Sequence, residues 1–333
     1  MTAYRLTLAL DAGAFAVPDD GRIAVFRPRA DHDLSSLSKE RVEIIQGFRP
    51  DHDAWTARGY DASAVAGQSD YALSIVMLPR AKAEARAVIA EAASRTKGAL
   101  IVDGQKTDGI DSVWRDCRKR ADVTGTFSKA HGKTFAINNP AGFDDWAAGP
   151  AEGPEGFVTA PGVFSAAKID KGSRLLVEAM EECPLSGNVA DLGAGWGYLS
   201  HHLAQHDGIK TLHLIEAEHA ALECARRNVT DPRAEFHWAD ATRFQPSDPF
   251  DVVVTNPPFH TGRAGDPSLG RAFIAAAAKM LTPRGTLWMV ANRHLPYEAE
   301  LSDLFRNVEE IGGDTGFKVL KAALPKRSSR TKT

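Results

Sequence analysis

Two stretches of this chain hold residues whose types and spacing can do chemistry. The first is Asp191-Leu192-Gly193-Ala194-Gly195-Trp196-Gly197, where three alternate glycines follow a short apolar run. Glycine lets a backbone turn tightly and approach a ligand closely, and a strand feeding a helix through such a turn is a common nucleotide cradle. The dinucleotide fingerprint needs Gly-x-Gly-x-x-Gly, and Tyr198 stands where its last glycine belongs. The loop is therefore a different nucleotide site or a plain tight turn. Glu216 ends the next apolar run, 23 positions beyond Gly193, where a carboxylate can accept both hydroxyls of a ribose; the alternative is a solvated charge capping the helix near Glu218. Asp240 ends the run after that, and either accepts an adenine amine or caps a helix N-terminus. The second stretch is Asn256-Pro257-Pro258-Phe259-His260. Its prolines remove backbone donors and stiffen the turn, leaving the Asn256 amide oxygen and the Pro257 carbonyl as fixed acceptors. Such a pair suits an exocyclic amine, with Phe259 stacked on the planar group that carries it. A proline-rich loop around a buried Phe is the competing reading, and the glycine loop upstream argues against it.

These residues need elements to position them. Apolar runs at 188–192, 211–215, 251–255 and 286–290 predict strands, and the patterns at 201–206, 217–228 and 269–281 predict helices. Strands alternating with helices imply a parallel sheet covered on both faces, and the continuously apolar Val252-Val253-Val254 fits a strand buried on both sides. Residues 138–156 are dense in Gly, Pro, Asn and Asp, which places a boundary there and divides the chain into 1–150 and 157–333. The first half repeats the order of the second: 70–79 matches 250–257 as an apolar strand ending at proline, 83–94 matches 271–281, and 98–102 matches 285–290. We read a diverged internal duplication. The first copy has lost the chemistry, because its opening strand at 22–26 runs into Arg27-Pro28-Arg29 and its Pro79 lacks the Asn and the second Pro. The apolar segment 6–17 is interrupted by Asp11 and lacks a small-residue cleavage pattern, and is expected to be a buried strand.

The chain has 333 residues, 43% hydrophobic and 25% charged, with 40 Lys plus Arg against 43 Asp plus Glu. That excludes a disulfide scaffold and an intrinsically disordered chain. A net charge of −3 gives no global pull on a polyanion. Cys117, Cys183 and Cys224 are too scattered for a Cys-x-x-Cys site. Arg115, Arg118, Lys119 and Arg120, and the run from Lys326 to Lys332, are basic clusters that meet phosphates or are simply solvated. No run reaches the roughly 18 apolar residues of a membrane helix. A soluble cytoplasmic protein, bound to no membrane, is expected.

The Asp191-led glycine spacing resembles the first motif of class I S-adenosylmethionine-dependent methyltransferases. With Asn256-Pro257-Pro258-Phe259, Thr159-Ala160-Pro161-Gly162-Val163-Phe164-Ser165, the 170–176 segment, Ala291-Asn292-Arg293-His294 and Gly316-Phe317-Lys318-Val319, the chain resembles the RsmC-type ribosomal RNA guanine-N2 methyltransferases. In the first half, Pro79-Arg80-Ala81-Lys82 and Gly104-Gln105-Lys106-Thr107-Asp108-Gly109 look like that family's degenerate first domain. The resemblance implies an α/β chain of two tandem Rossmann-like methyltransferase domains. The first is degenerate and supports RNA binding or folding; the second is catalytic, with a seven-stranded, mostly parallel sheet. It implies that Asp191, Gly193, Gly195, Glu216 and Asp240 hold S-adenosylmethionine, that Phe164 closes over it, and that Asn256, Pro257, Pro258 and Phe259 present the guanine amine. His260 stands outside this set, since a methylated aromatic amine sheds its proton without a dedicated base. The implied partner is ribosomal RNA or the small ribosomal subunit, met by a monomer without metal. Rival readings are a protein-glutamine or adenine-N6 methyltransferase, and a non-catalytic RNA-binding assembly factor.

Overall fold

Residues 4–67, 70–258 and 267–327 are described by the computed structural model. The chain divides into two compact units, Met1–Pro150 with Ala160–Gly162, and Ala151–Thr159 with Val163–Thr333. The three residues 160–162, placed with the second half on sequence, thus pack with the first.

The first unit opens with helix α1 (Arg5–Asp11), followed by β1 (Ile23–Phe26), β2 (Val42–Ile45), α2 (Arg49–Ala57), β3 (Asp61–Ser63), β4 (Tyr71–Met77), α3 (Lys82–Ser94), β5 (Thr96–Gln105), α4 (Ile110–Arg118), β6 (Asp122–Lys129) and β7 (Gly132–Asn138). The sheet runs β3-β2-β1-β4-β5-β7-β6, parallel as far as β5 and antiparallel beyond it. Alternate residues of β1 feed opposite faces: Ala24 and Phe26 join a core with Ile89 and Val113, whereas Ile23 and Val25 join one with Leu6, Ala9 and Trp55. The 6–17 segment is not a strand, and α1 corrects that expectation. Leu6 and Ala9, one turn apart, face the core while Leu8 faces out. Arg5, 1% exposed, forms a two-pronged ion pair with buried Asp103, Nε to Oδ1 at 2.8 Å and Nη2 to Oδ2 at 2.7 Å. That pair spans 98 positions, so no local pattern in a short apolar run could reveal it.

The second unit has a short ribbon, β8 (Ala151–Glu152) with β9 (Val158–Thr159), and then α5 (Lys171–Met180), β10 (Gly187–Leu192), α6 (Tyr198–Leu203), β11 (Ile209–Glu216), α7 (His219–Asn228), β12 (Ala234–Trp238), β13 (Phe250–Thr255), α8 (Pro267–Met280), β14 (Leu281–Asn292), α9 (Glu298–Leu304), β15 (Phe305–Gly313) and β16 (Phe317–Pro325). Its order, β12-β11-β10-β13-β14-β16-β15, is that of the first sheet strand for strand. Both units are Rossmann-like. The helix expected at 201–206 starts three residues earlier, because Gly197, in a left-handed conformation at φ 90°, ends the loop and releases the chain into α6 at once. No helix among the described residues is long and apolar enough to cross a membrane.

Candidate active site

Four adjacent strands, β12, β11, β10 and β13, are parallel, so their C-terminal ends share one edge of the sheet, the edge where α/β folds bind ligands. In register, Leu192 faces Ile215 on one side and Thr255 on the other, and Glu216 faces Trp238. This topology brings the glycine loop, Glu216, Asp240 and Asn256 together from positions far apart in the chain.

The loop itself leaves β10 with Gly193, Gly195 and Gly197 all at positive φ, 73°, 57° and 90°, a region costly for any residue carrying a Cβ. At Gly197 a Cβ would also lie 3.0 Å from Val229 and 3.3 Å from the Ala225 backbone. The loop is pinned from both sides. Asn228 donates to the Trp196 carbonyl at 2.7 Å and exchanges two bonds with the Val158 backbone, fastening the ribbon to the loop. The Trp196 indole donates to the Phe164 carbonyl at 2.9 Å. The Phe164 side chain, 58% exposed, lines the cleft over the loop together with Asp170, Ser173 and Asn256.

Each predicted carboxylate has a distinct place. Glu216 accepts from the Gly195 backbone N–H through Oε2 at 2.8 Å and from Glu218 N–H through Oε1 at 2.7 Å. Glu216 thus makes the local contact at Glu218 expected of a helix cap, and it also holds the glycine loop, a contact the sequence did not indicate. Each oxygen keeps a lone pair for a hydroxyl. Burial raises its pKa. Asp240 uses Oδ1 for Thr242, accepting from its backbone N–H at 2.8 Å and its hydroxyl at 2.6 Å, the local capping contact, and Oδ2 has no hydrogen-bond partner among the described residues. Asp191 sits behind the loop and not on the cleft wall. It is 0% exposed and its Oδ2 accepts from the Ser200 hydroxyl at 2.7 Å, which ties α6 to β10, while Oδ1 has no partner among the described residues. Burial pushes its pKa up to about 7.

Asn256 is the most specifically held residue. Its Nδ2 donates to Asp170 Oδ2 and to Ser173 Oγ, both at 2.9 Å. Asp170 is itself the N-cap of α5, accepting from Ser173 N–H at 2.8 Å. The amide is thereby held through its nitrogen, Asn256 lines the cleft, and its Oδ1 is a buried acceptor with no hydrogen-bond partner among the described residues. The roles of Asp170 and Ser173 escaped the sequence reading; an Asp before a helix signals a cap, but nothing local links it to a side chain 86 positions away. Pro257 is buried and Pro258 exposed. Phe259 and His260 lie outside the described residues.

Among the described residues, no ion pair engages Asp170, Asp191, Glu216 or Asp240. In the first unit the matching strand end is filled by its own side chains: Arg27 pairs with Glu84 at 2.9 Å, and Pro28 accepts from Trp55 and Gln46, each at 2.9 Å. Of the basic residues at 115–120, Arg120 is held by Asp145 at 2.5 and 2.9 Å and Arg118 lies over the Trp114 ring.

Residues 155–321 match the family model of the methyltransferase small domain. The chain is 37% identical over 170 residues to the ribosomal RNA small subunit methyltransferase C of Alcanivorax borkumensis, a match covering 50% of this chain and 52% of that relative's length. It is 30% identical over 258 residues to the protein of the same name from Shewanella pealeana, covering 74% of this chain and 75% of the relative. Among solved structures it is similar to the T. thermophilus 16S rRNA N2 G1207 methyltransferase (RsmC) in complex with AdoMet and guanosine. The TM-score is 0.77 and the identity 26%, over 94% of this chain and 91% of that one.

Proposed function

From its membership of the methyltransferase small domain family, in the RsmC type, we infer that this chain transfers a methyl group from S-adenosylmethionine to the exocyclic N2 of a guanine in small-subunit ribosomal RNA. The observation that carries the reading is the Asn256 amide: its nitrogen is committed to Asp170 and Ser173, and its buried oxygen has no partner among the described residues. A buried acceptor in that state costs free energy until a donor arrives, and the guanine amine is such a donor.

The residues fit the methyl donor. Gly193 and Gly195 bring the backbone close, Glu216 has lone pairs for the ribose hydroxyls, and Asp240 has an oxygen, without a partner among the described residues, for the adenine amine. Asp191 supports this set from behind, by holding α6 against β10. When bound, S-adenosylmethionine supplies a methyl group on a cationic sulfur, open to displacement. Asn256 Oδ1 and the Pro257 carbonyl each accept one hydrogen of the amine, which fixes the direction of its nitrogen. Such positioning converts a bimolecular encounter into a local one. Pro258 stiffens the turn and Phe259 stacks on the base. The first unit, whose equivalent pocket is closed by Arg27 and Glu84, assists RNA binding and folding. The chain acts as a monomer, in the cytoplasm, where its ribosomal partner resides. An α/β first unit disfavours the protein-glutamine alternative, which pairs this chemistry with a helical one.

The test is to incubate the chain with labelled S-adenosylmethionine and undermethylated small subunits or their RNA, digest the RNA and identify the nucleoside by mass spectrometry. N2-methylguanosine is the expected product. Cofactor binding without label in RNA overturns the substrate assignment.

A further inference from the structure

Away from the cleft, β11 and β12 bring three potential ligands to one face of the sheet. His213 and Glu235 are register partners, and His237 lies two positions beyond Glu235 on the same side. Nδ1 of His213 is 3.0 Å from Nε2 of His237, and Glu235 Oε2 lies 3.5 Å from the first and 3.9 Å from the second. We propose that His213, Glu235 and His237 bind one divalent transition-metal cation, zinc above all, as a clasp between β11 and the edge strand β12.

The geometry supports this on three counts. In a tetrahedral zinc site with bonds of about 2.0–2.1 Å, neighbouring ligand atoms stand roughly 3.3 Å apart, close to the three separations here. The tautomer is also set. Thr211 Oγ1 donates to Asn188 Oδ1 at 3.1 Å, so at 3.2 Å from His213 Nε2 it accepts that N–H and leaves the Nδ1 lone pair facing the cluster. Metal-bound imidazoles are oriented by such outer partners. Phe250 and Phe244 flank the rings at centroid distances of 5.1 and 5.0 Å, while Glu235, 54% exposed, opens the site to solvent. Two imidazoles and one carboxylate leave a fourth position for water. The alternative is a metal-free hydrogen bond between the two imidazoles.

Chelator-treated full-length protein titrated with Zn²⁺ alone, against a chromophoric competitor and by Co²⁺ visible absorption, decides between them. One equivalent should bind and raise the Tm, as any ligand selective for the native state does. His213→Gln and His237→Gln should each weaken binding by about a hundredfold, and Thr211→Val, which removes the outer partner, by about tenfold. Glu235→Gln alters an exposed side chain, so its expected loss of about tenfold is free of folding artefacts. Cys183→Ser should leave binding unchanged. Absence of binding, or binding equally tight in the two histidine variants, overturns the proposal, and neither result bears on methyl transfer.

Discussion

Replacing Asn256 by alanine separates substrate presentation from folding and cofactor binding. In the free protein the side chain makes two bonds through Nδ2, one to the Asp170 carboxylate and one to Ser173, worth about 1.5–3 and about 1 kcal/mol. Against them stands the buried, unpartnered Oδ1, a penalty of about 1–3 kcal/mol. The two sides largely offset, so Asn256→Ala should change folding stability by no more than about 3 kcal/mol. On the proposed reading Oδ1 gains its donor during transfer, and the bond strengthens as positive charge grows on the amine. Removing one pre-aimed hydrogen-bonding group from a developing charge typically costs about 10²- to 10³-fold in kcat. The assay is transfer of labelled methyl to undermethylated small subunits, with cofactor affinity read from the Tm rise at saturating S-adenosylmethionine. The reasoning is refuted if kcat stays within about threefold of the parent, less than 1 kcal/mol in barrier, or if the cofactor-induced Tm rise disappears along with activity.

Other substitutions probe the supports of the site and the fold. Asp170→Ala removes the N-cap of α5 and the main partner of Asn256; it should cost about 1 kcal/mol of stability and lower kcat by about tenfold or more. Asp170→Asn keeps a carbonyl acceptor and an equally good cap, so kcat should recover to within about threefold of the parent; equal loss in both variants would remove the positioning role. The pKa of Asp191, raised by burial to about 7, lies above its unfolded value near 3.9. Its neutral form therefore contributes stability that is complete below about pH 4 and lost as the pH rises to about 7, roughly 4 kcal/mol in all. Asp191→Asn should flatten that decline in urea midpoints taken from pH 4 to 8; parallel profiles for the two proteins would contradict it. Asp103→Ala strands the Arg5 guanidinium in the core and should destabilise the first unit by about 3–5 kcal/mol. A urea-unfolding loss below about 1 kcal/mol would mean that Arg5 escapes to solvent.

What the sequence determined by itself is local. Apolar runs broken by glycine or proline located β10, β11, β13 and β14. The parallel in order between 70–102 and 250–290 indicated two related sheets, and the structure gives them one strand order. The glycine loop and Asn256-Pro257-Pro258 were legible because their function depends on backbone conformation and missing donors, which are fixed within a few residues. Other features were decided only by tertiary structure, because they join side chains separated by 24 to 98 positions. Residues 5–11 form a helix from which Arg5 reaches Asp103, a contact that no period in a short run records. Glu216 serves the glycine loop and the next turn at once because β10 and β11 are adjacent and parallel. Asp170 orients Asn256 across 86 positions, and His213 meets His237 only through the pairing of β11 with β12. Sequence specifies where an element can form and which residues could react; packing decides which polar atoms find partners and which, Oδ1 of Asn256 among them, stay unpaired among the described residues.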